Sequence, residues 1–555
     1  MNSNETHRET EIGEASEGVM MAGRSGVALL WTATMLLAAF PAHGTATTGT
    51  GTGTADHATF EALKGPFETG QDVTRACLSC HTEAAKQVMA TRHWTWEYVN
   101  PDTGQTLGKK TMLNGFCIGD RSNEAFCQSC HVGYGWEDET FDFSDESKVD
   151  CLACHNTGGY RKLPGLAGHP AYERMEWPAK SGQYVEAADL VTIAQRIGAT
   201  SRQTCGSCHY FGGGGDGVKH GDLDSSLNDP PRELDVHMAS EGLNFACSEC
   251  HQTDEHRVPG SRISTTAADP HGPIVRGEKT ERNPATCQAC HGDRPHGDVA
   301  AHADRLDDHA RTLACQSCHI PEFARGGVPT KMGWDWSTAG QLGANGKPFQ
   351  KKDDKGRVIY DSKKGDFVLG ENVRPDYLWF DGTVTYTTTD TVIDPTTRVA
   401  INTFHGTPGA PDARIWPVKT FHGKQPYDTV HRTLLVPHTA IPDDTAFWFN
   451  FDWPKALRAG ADATGQPFSG EFDFVETSML WPITHMVAPK EDALACGECH
   501  ARDGRLADVP GVWMPGRDRN PMLDRLGFGL AGLMLLGVAA HGGMRFLTRG
   551  KRKEH

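Results

Sequence analysis

Eight copies of C-x-x-C-H take up all but one of the 17 cysteines in this 555-residue chain. They are Cys77, Cys80 and His81; Cys127, Cys130 and His131; Cys151, Cys154 and His155; Cys205, Cys208 and His209; Cys247, Cys250 and His251; Cys287, Cys290 and His291; Cys315, Cys318 and His319; and Cys496, Cys499 and His500. The spacing is that of covalent c-type haem attachment: two thiols add across the vinyl groups and the adjacent histidine reaches the iron. Zinc ribbons pair bare C-x-x-C units and need no histidine after each second cysteine. A histidine in every copy therefore argues against zinc. Only 38% of the residues are hydrophobic, low for this length. Eight covalently bound haems would supply the missing apolar surface.

Covalent haem attachment takes place outside the bacterial cytoplasm, so the chain must be exported. Arg24, the apolar run 27–40 and the small residues that follow have the three-part form of a secretory signal. Met20 or Met21 would be a more usual start than Met1. The Gly/Thr-rich stretch beyond reads as linker. At the far end, the apolar run 526–540 continues to Arg545, and Arg549, Lys551, Arg552 and Lys553 follow. That length is close to the roughly 20 residues needed to span a bilayer, and the basic cluster places the tail in the cytoplasm. The chain is thus expected on the periplasmic side of the bacterial inner membrane. A formal charge of −17 gives no sign of a nucleic-acid partner. An anionic substrate would need a local positive patch.

The expected organisation is a leader and signal over 1–46, a flexible linker over 47–70 and a cytochrome domain over 71–520. A transmembrane helix over 524–546 and a basic tail over 547–555 follow. Within the domain, 75–320 is haem-dense, 321–485 is a haem-poor wrap and 486–505 carries the eighth motif. Strand-like pieces occur at 357–361 and 383–393, and helical patterns at 83–92 and 185–197. The fold class expected is a multihaem cytochrome c, mainly α with much irregular loop, its core built from haem, with a C-terminal transmembrane helix.

An electron-carrying haem usually takes a second strong ligand, whereas a catalytic haem needs a displaceable distal site. With 27 histidines, supply exceeds demand. Context favours His93, His237, His256, His296, His309, His438 and His485 as distal ligands, with His220 and His271 in reserve. Seven candidates for eight irons leave one distal site to explain. Cys117 is the one cysteine outside the motifs, and Lys219 follows the run Gly212-Gly213-Gly214-Gly215. Such a run lets backbone pass close to a flat haem face.

Several segments resemble the octahaem tetrathionate reductase family of periplasmic cytochromes. They are NGFCI at 114–118, CQSCHVGYGW at 127–136, VDCLACHNTGGYRK at 149–162, TCGSCHYFGGGGDGVKHGDLDSSL at 204–227, CQSCHIP at 315–321 and MGWDWSTAG at 332–340. The resemblance implies that one haem, on Cys127, Cys130 and His131, is the active site. Lys219 would be its distal ligand, with Asp216 and Cys117 beside it. Asn156, where an acid is expected, and the C-terminal anchor depart from the family pattern. A lysine binds iron only as the neutral amine, whose reference pKa is near 10.4.

The reading that follows is a haem-dependent oxidoreductase that reduces a sulfur or nitrogen oxyanion: tetrathionate to thiosulfate, or else nitrite or hydroxylamine. Electrons would come from a membrane or periplasmic donor, such as a quinol-oxidising cytochrome b. Two rival readings remain open: an oxidase resembling hydroxylamine oxidoreductase, and a membrane-anchored electron conduit without catalysis.

Overall fold

The computed structural model describes residues 55–179, 181–258, 286–297 and 302–549. The expected leader over 1–46, linker residues 47–54, His271 and tail residues 550–555 lie outside these. The described residues all fall in the unit Thr48–His555.

The chain enters through helical turns at His57–Thr59 and Glu61–Leu63, with Leu63 buried. The flexible-linker expectation is therefore corrected for 55–70, which is folded because Leu63 packs beside Val73, Leu190 and Ile193. Helix Gly70–Leu78 then starts on a reciprocal cap. The Thr69 hydroxyl accepts from Asp72 N at 3.3 Å, and the Asp72 carboxylate accepts from Thr69 N at 2.8 Å. Helix Arg202–His209 starts in the same way on Ser201 and Thr204.

A C-x-x-C-H unit suits one helical turn, since residues three apart share a face. At the first, third, fifth, sixth, seventh and eighth motifs, the histidine N–H donates to the first cysteine's carbonyl at 2.8–3.1 Å. The second motif differs. Gln128–Cys130 tightens to a 3-10 turn, and His131 leaves it in an extended conformation.

The expected helical pieces become Ala84–Met89 and Leu190–Gln195. The expectation of a mainly α protein is corrected by a nine-stranded sheet within the haem-poor stretch. Its strands run in the order Val399–Ala400, Phe472–Pro482, Arg414–Asp428, Thr330–Asp335, Gly365–Gly370, Val358–Asp361 and Gln350–Lys352. Asp376–Phe380 and Thr433–Leu434 also pair with the long strand Arg414–Asp428. That strand is antiparallel to Phe472–Pro482, with Lys419 opposite Trp481, and parallel to Thr330–Asp335, with His422 opposite Gly333. Of the expected strand 383–393, only Val384–Tyr386 forms one.

The sheet matters to the site because it buries part of the haem-dense half. Trp334, Trp336, Phe421, Met479 and Trp481 share one core with Leu113, Phe116 and Ile118. Beyond the cytochrome body, Pro521–Thr548 is a 28-residue helix with no buried residue. It is long and apolar enough to cross a membrane.

Candidate functional site

Histidines meet in pairs. The ring centres of His57 and His81, His155 and His256, His251 and His485, and His296 and His319 are 6.4 Å apart. Those of His93 and His209, and of His237 and His291, are 6.1 Å apart, and His309 and His500 are 5.9 Å apart. Each pair contains one motif histidine. Two imidazoles bonded to one metal at about 2 Å each place their ring centres about 6 Å apart, so this spacing fits an iron between them.

The outer nitrogens fit as well. His155 Nδ1 donates to Gly198 O at 2.9 Å, His256 Nδ1 to Gln87 Oε1 at 2.8 Å and His296 Nδ1 to Asp307 Oδ1 at 2.8 Å. His485 Nδ1 donates to buried Asp222 at 3.3 Å. Such anchors fix a ring and leave Nε2 free to ligate. Burial works against the Asp222 charge, but hydrogen bonds from His485 and the backbone outweigh it and hold the carboxyl below its usual range.

Of the histidines singled out in the sequence, the structure sets His93, His237, His256, His296, His309 and His485 against motif histidines. The expectation for His438 is corrected. Its Nδ1 donates to Ser122 O at 2.5 Å and its Nε2 bonds Asp443 at 2.9 Å, so both nitrogens are engaged within the protein. His57, which sequence reasoning missed, faces His81 instead. It stands 24 residues ahead of its partner, beyond any local spacing rule. The reserve His220 packs edge-on against Trp481 at 5.1 Å.

His131 stands apart. Among the described residues, no histidine ring faces it at the pair spacing. Trp94, Trp96, Trp136, Phe141 and Phe143 surround it, and it is 1% exposed. Its Nε2 bonds Trp94 O at 2.7 Å, and its Nδ1 is buried without a hydrogen bond. This reverses the anchored rings above: Nε2 is the engaged nitrogen and Nδ1 the free one, so ligation through Nε2 requires the bond to Trp94 O to give way. Burial, then the Lys162 ammonium, push its pKa down to about 3, so the ring is neutral. Two cavities of about 280 and 530 Å³ open beside this motif and share Lys109, Lys110, Asp120 and Arg121.

Cys117 is near enough to Cys127 of this motif to interact with it electrostatically. Cys117 Sγ lies 3.7 Å from Gly213 O. Its loop is held by Asn114 Oδ1, which accepts from the backbone N–H groups of Phe116, Cys117 and Ile118 at 2.7–3.1 Å. The sheet pins the same loop: Trp336 Nε1 donates to Phe116 O at 2.8 Å, and Gln425 to Asn114 O at 2.9 Å. Within the glycine run, a Cβ on Gly213 would come within 2.7 Å of Val218, and Gly214 holds a positive φ of 81°. Burial pushes the Cys117 thiol up, which disfavours the thiolate.

Lys219 Nζ sits 5.1 Å from the Trp481 ring centre, and its charge is also felt by His209. Its backbone is clamped from behind. Fully buried Lys419 donates to Val218 O and Lys219 O at 3.0 Å each and to Thr330 Oγ1 at 2.6 Å. Thr330 in turn donates to Gly217 O at 2.7 Å. Asp216 accepts from Ser225 N at 2.9 Å and from the Ser225 hydroxyl. Its carboxylate fixes the turn Ser225–Asn228.

Thiols of different motifs also meet. Cys77 contacts Cys151, Cys130 contacts Cys208, Cys205 contacts Cys247, and Cys287 contacts Cys315. Cys154 and Cys205, Cys250 and Cys290, and Cys318 and Cys499 are near enough to interact electrostatically. The motifs therefore follow one another as first, third, fourth, fifth, sixth, seventh and eighth, with the second branching from the fourth.

Paired imidazoles beside C-x-x-C thiols define a c-type cytochrome with several covalently bound haems. The comparisons agree. The bacterial cytochrome c family model matches residues 331–503. The crystal structure of an octahaem cytochrome c from Shewanella oneidensis is similar at a TM-score of 0.70. Its identity is 39%, over 82% of this chain and 97% of that one. An uncharacterised protein of Archaeoglobus fulgidus is 22% identical over 247 residues, 37% of this chain and 80% of that protein. The chain belongs to the octahaem cytochrome c family.

Proposed function

We propose that this cytochrome carries eight haems, seven as electron relays and one, on the second motif, as a reaction centre that reduces a sulfur oxyanion. The observation that carries this reading is the asymmetry among the motif histidines: seven face another histidine and, among the described residues, His131 does not. A pure conduit would gain from an eighth pair, because two strong ligands limit reorganisation. His131 would hold the second haem from one side, and Lys219 would be the exchangeable group on the other.

Haem, when bound, would supply one-electron carriers and, at the second motif, the iron at which the substrate is reduced. The chain's own residues set the rest. The Lys419 clamp orients the Lys219 turn. Lys219 Nζ, once protonated, faces an incoming anion as a cation. The indoles of Trp336 and Trp481 wall the site against water. With tetrathionate, two electrons cleave the central S–S bond and give two thiosulfates, with no proton required. The Pro521–Thr548 helix would hold the body at a membrane, within reach of a quinol-oxidising partner.

The test is reduction of tetrathionate, nitrite and hydroxylamine by the purified holoprotein, with reduced methyl viologen as donor. Tetrathionate is expected to be turned over fastest. Electron acceptance without turnover of any of the three would favour the conduit.

A further inference from the structure

Lys331 and Lys364 are both near enough to Cys117 to interact with it electrostatically. Lys331 is in the strand Thr330–Asp335, one residue beyond the Thr330 that bonds the Lys419 ammonium. A register shift between Lys331 and Gly333 breaks the ladder there, and such a bulge re-aims the side chain. The Lys331 ammonium lies 3.4 Å from the centre of Phe367 and 3.9 Å from that of Trp334. Lys364, in the turn before Gly365–Gly370, accepts on its carbonyl from Trp334 Nε1 at 2.6 Å and has its Nζ 5.1 Å from the Trp448 ring centre.

Both lysines are half-buried. Neither forms an ion pair among the described residues, and Asp361 is felt by Lys331 only through space. Two cations that repel each other in a partly dry, aromatic-walled place are costly unless an anion joins them. Burial first, and Lys364 second, push the Lys331 pKa down to about 7. The Cys117 sulfur is felt by both lysines and also touches Gly213 at the start of the Lys219 turn.

We infer that Lys331 and Lys364 form an anion-recognition site that takes the far, sulfonate-type end of an elongated oxyanion, whose other end lies at the Lys219 turn. This rests on the second motif being the reaction centre. The site selects substrates carrying negative charge at two separated ends, which tetrathionate does and nitrite does not. Cys117 interacts through space with both lysines, and its sulfur is 3.7 Å from Gly213 O, at the start of the Lys219 turn.

The probe is thiosulfate, titrated calorimetrically into the oxidised full-length holoprotein, so that binding is read without turnover. Lys331→Met and Lys364→Met are each expected to weaken thiosulfate binding by about ten-fold, the scale of one charge-assisted contact. Lys331→Arg should restore most of it. The same Met variants should raise KM for tetrathionate more than they lower kcat. Equal thiosulfate affinity in wild type and both Met variants, or no binding to wild type, would overturn the site. Loss of affinity accompanied by altered haem absorbance or circular dichroism would also overturn it, by marking the lysines as structural. If wild type binds thiosulfate through these lysines but does not reduce tetrathionate, the reaction assignment fails and the anion site stands.

Discussion

Seven motifs and the second motif solve the same problem in different ways. In the seven, a helical turn presents the motif histidine to a second histidine, and several of these rings are steadied by one nearby acceptor such as Gly198 O, Gln87 or Asp307. At the second motif the turn is tighter, the ring sits in an aromatic box, and the surrounding apparatus comes from the sheet. The relays are thus assembled largely within the haem-dense half. The odd site draws on residues some 200 to 300 positions downstream in the chain, such as Lys419 and Gln425. Under the proposed function the ligand at this site leaves and returns, which needs a rigid external frame, and buried sheet residues would provide one.

That contrast can be broken in four places. Lys219→Met should have the largest effect, cutting turnover by at least about a hundred-fold while electrons still enter the relays. Lys419→Met should come next. It leaves Val218 O, Lys219 O and the Thr330 hydroxyl without their buried donor, at a cost of about 1–3 kcal/mol. Turnover should fall about ten-fold as the Lys219 turn loosens, measured beside thermal unfolding to separate the two losses. His57→Ala should create one high-spin haem signal, from the first motif, with a smaller loss of turnover. His438→Ala should leave every haem signal unchanged and cost only about 1–2 kcal/mol of stability, from the lost bonds to Ser122 O and Asp443. A new high-spin signal in that variant would mean that His438 is a ligand after all.

Much of this was legible in the chain because C-x-x-C-H is local: five residues carry both the attachment and the first ligand. Six of the facing histidines could be singled out because they lie in short segments near motifs or between apolar residues. His57 could not, since its pairing with His81 depends on how 55–70 folds back on Leu190 and Ile193. His438 misled for the opposite reason. A buried imidazole needs partners, and Ser122 and Asp443 satisfy it as well as iron would. Lys219 and Cys117 stood out by their oddness, yet the lysines behind and beyond them did not. Nothing local in the sequence marks Lys331, Lys364 or Lys419, because their nearness to Cys117 and to the Lys219 turn comes from the sheet. The sheet itself was hidden because its longest strand, Arg414–Asp428, is interrupted in sequence by Pro417, Gly423 and Pro426, and several of the sheet's other strands are only two to six residues long.

The most direct measurement is electron paramagnetic resonance of the fully oxidised holoprotein, wild type beside Lys219→Met. One low-spin signal should disappear or change, with the signals of the seven histidine-paired haems left intact. A spectrum unchanged by the substitution would contradict the assignment of Lys219 to the second haem and, with it, the division between relays and reaction centre.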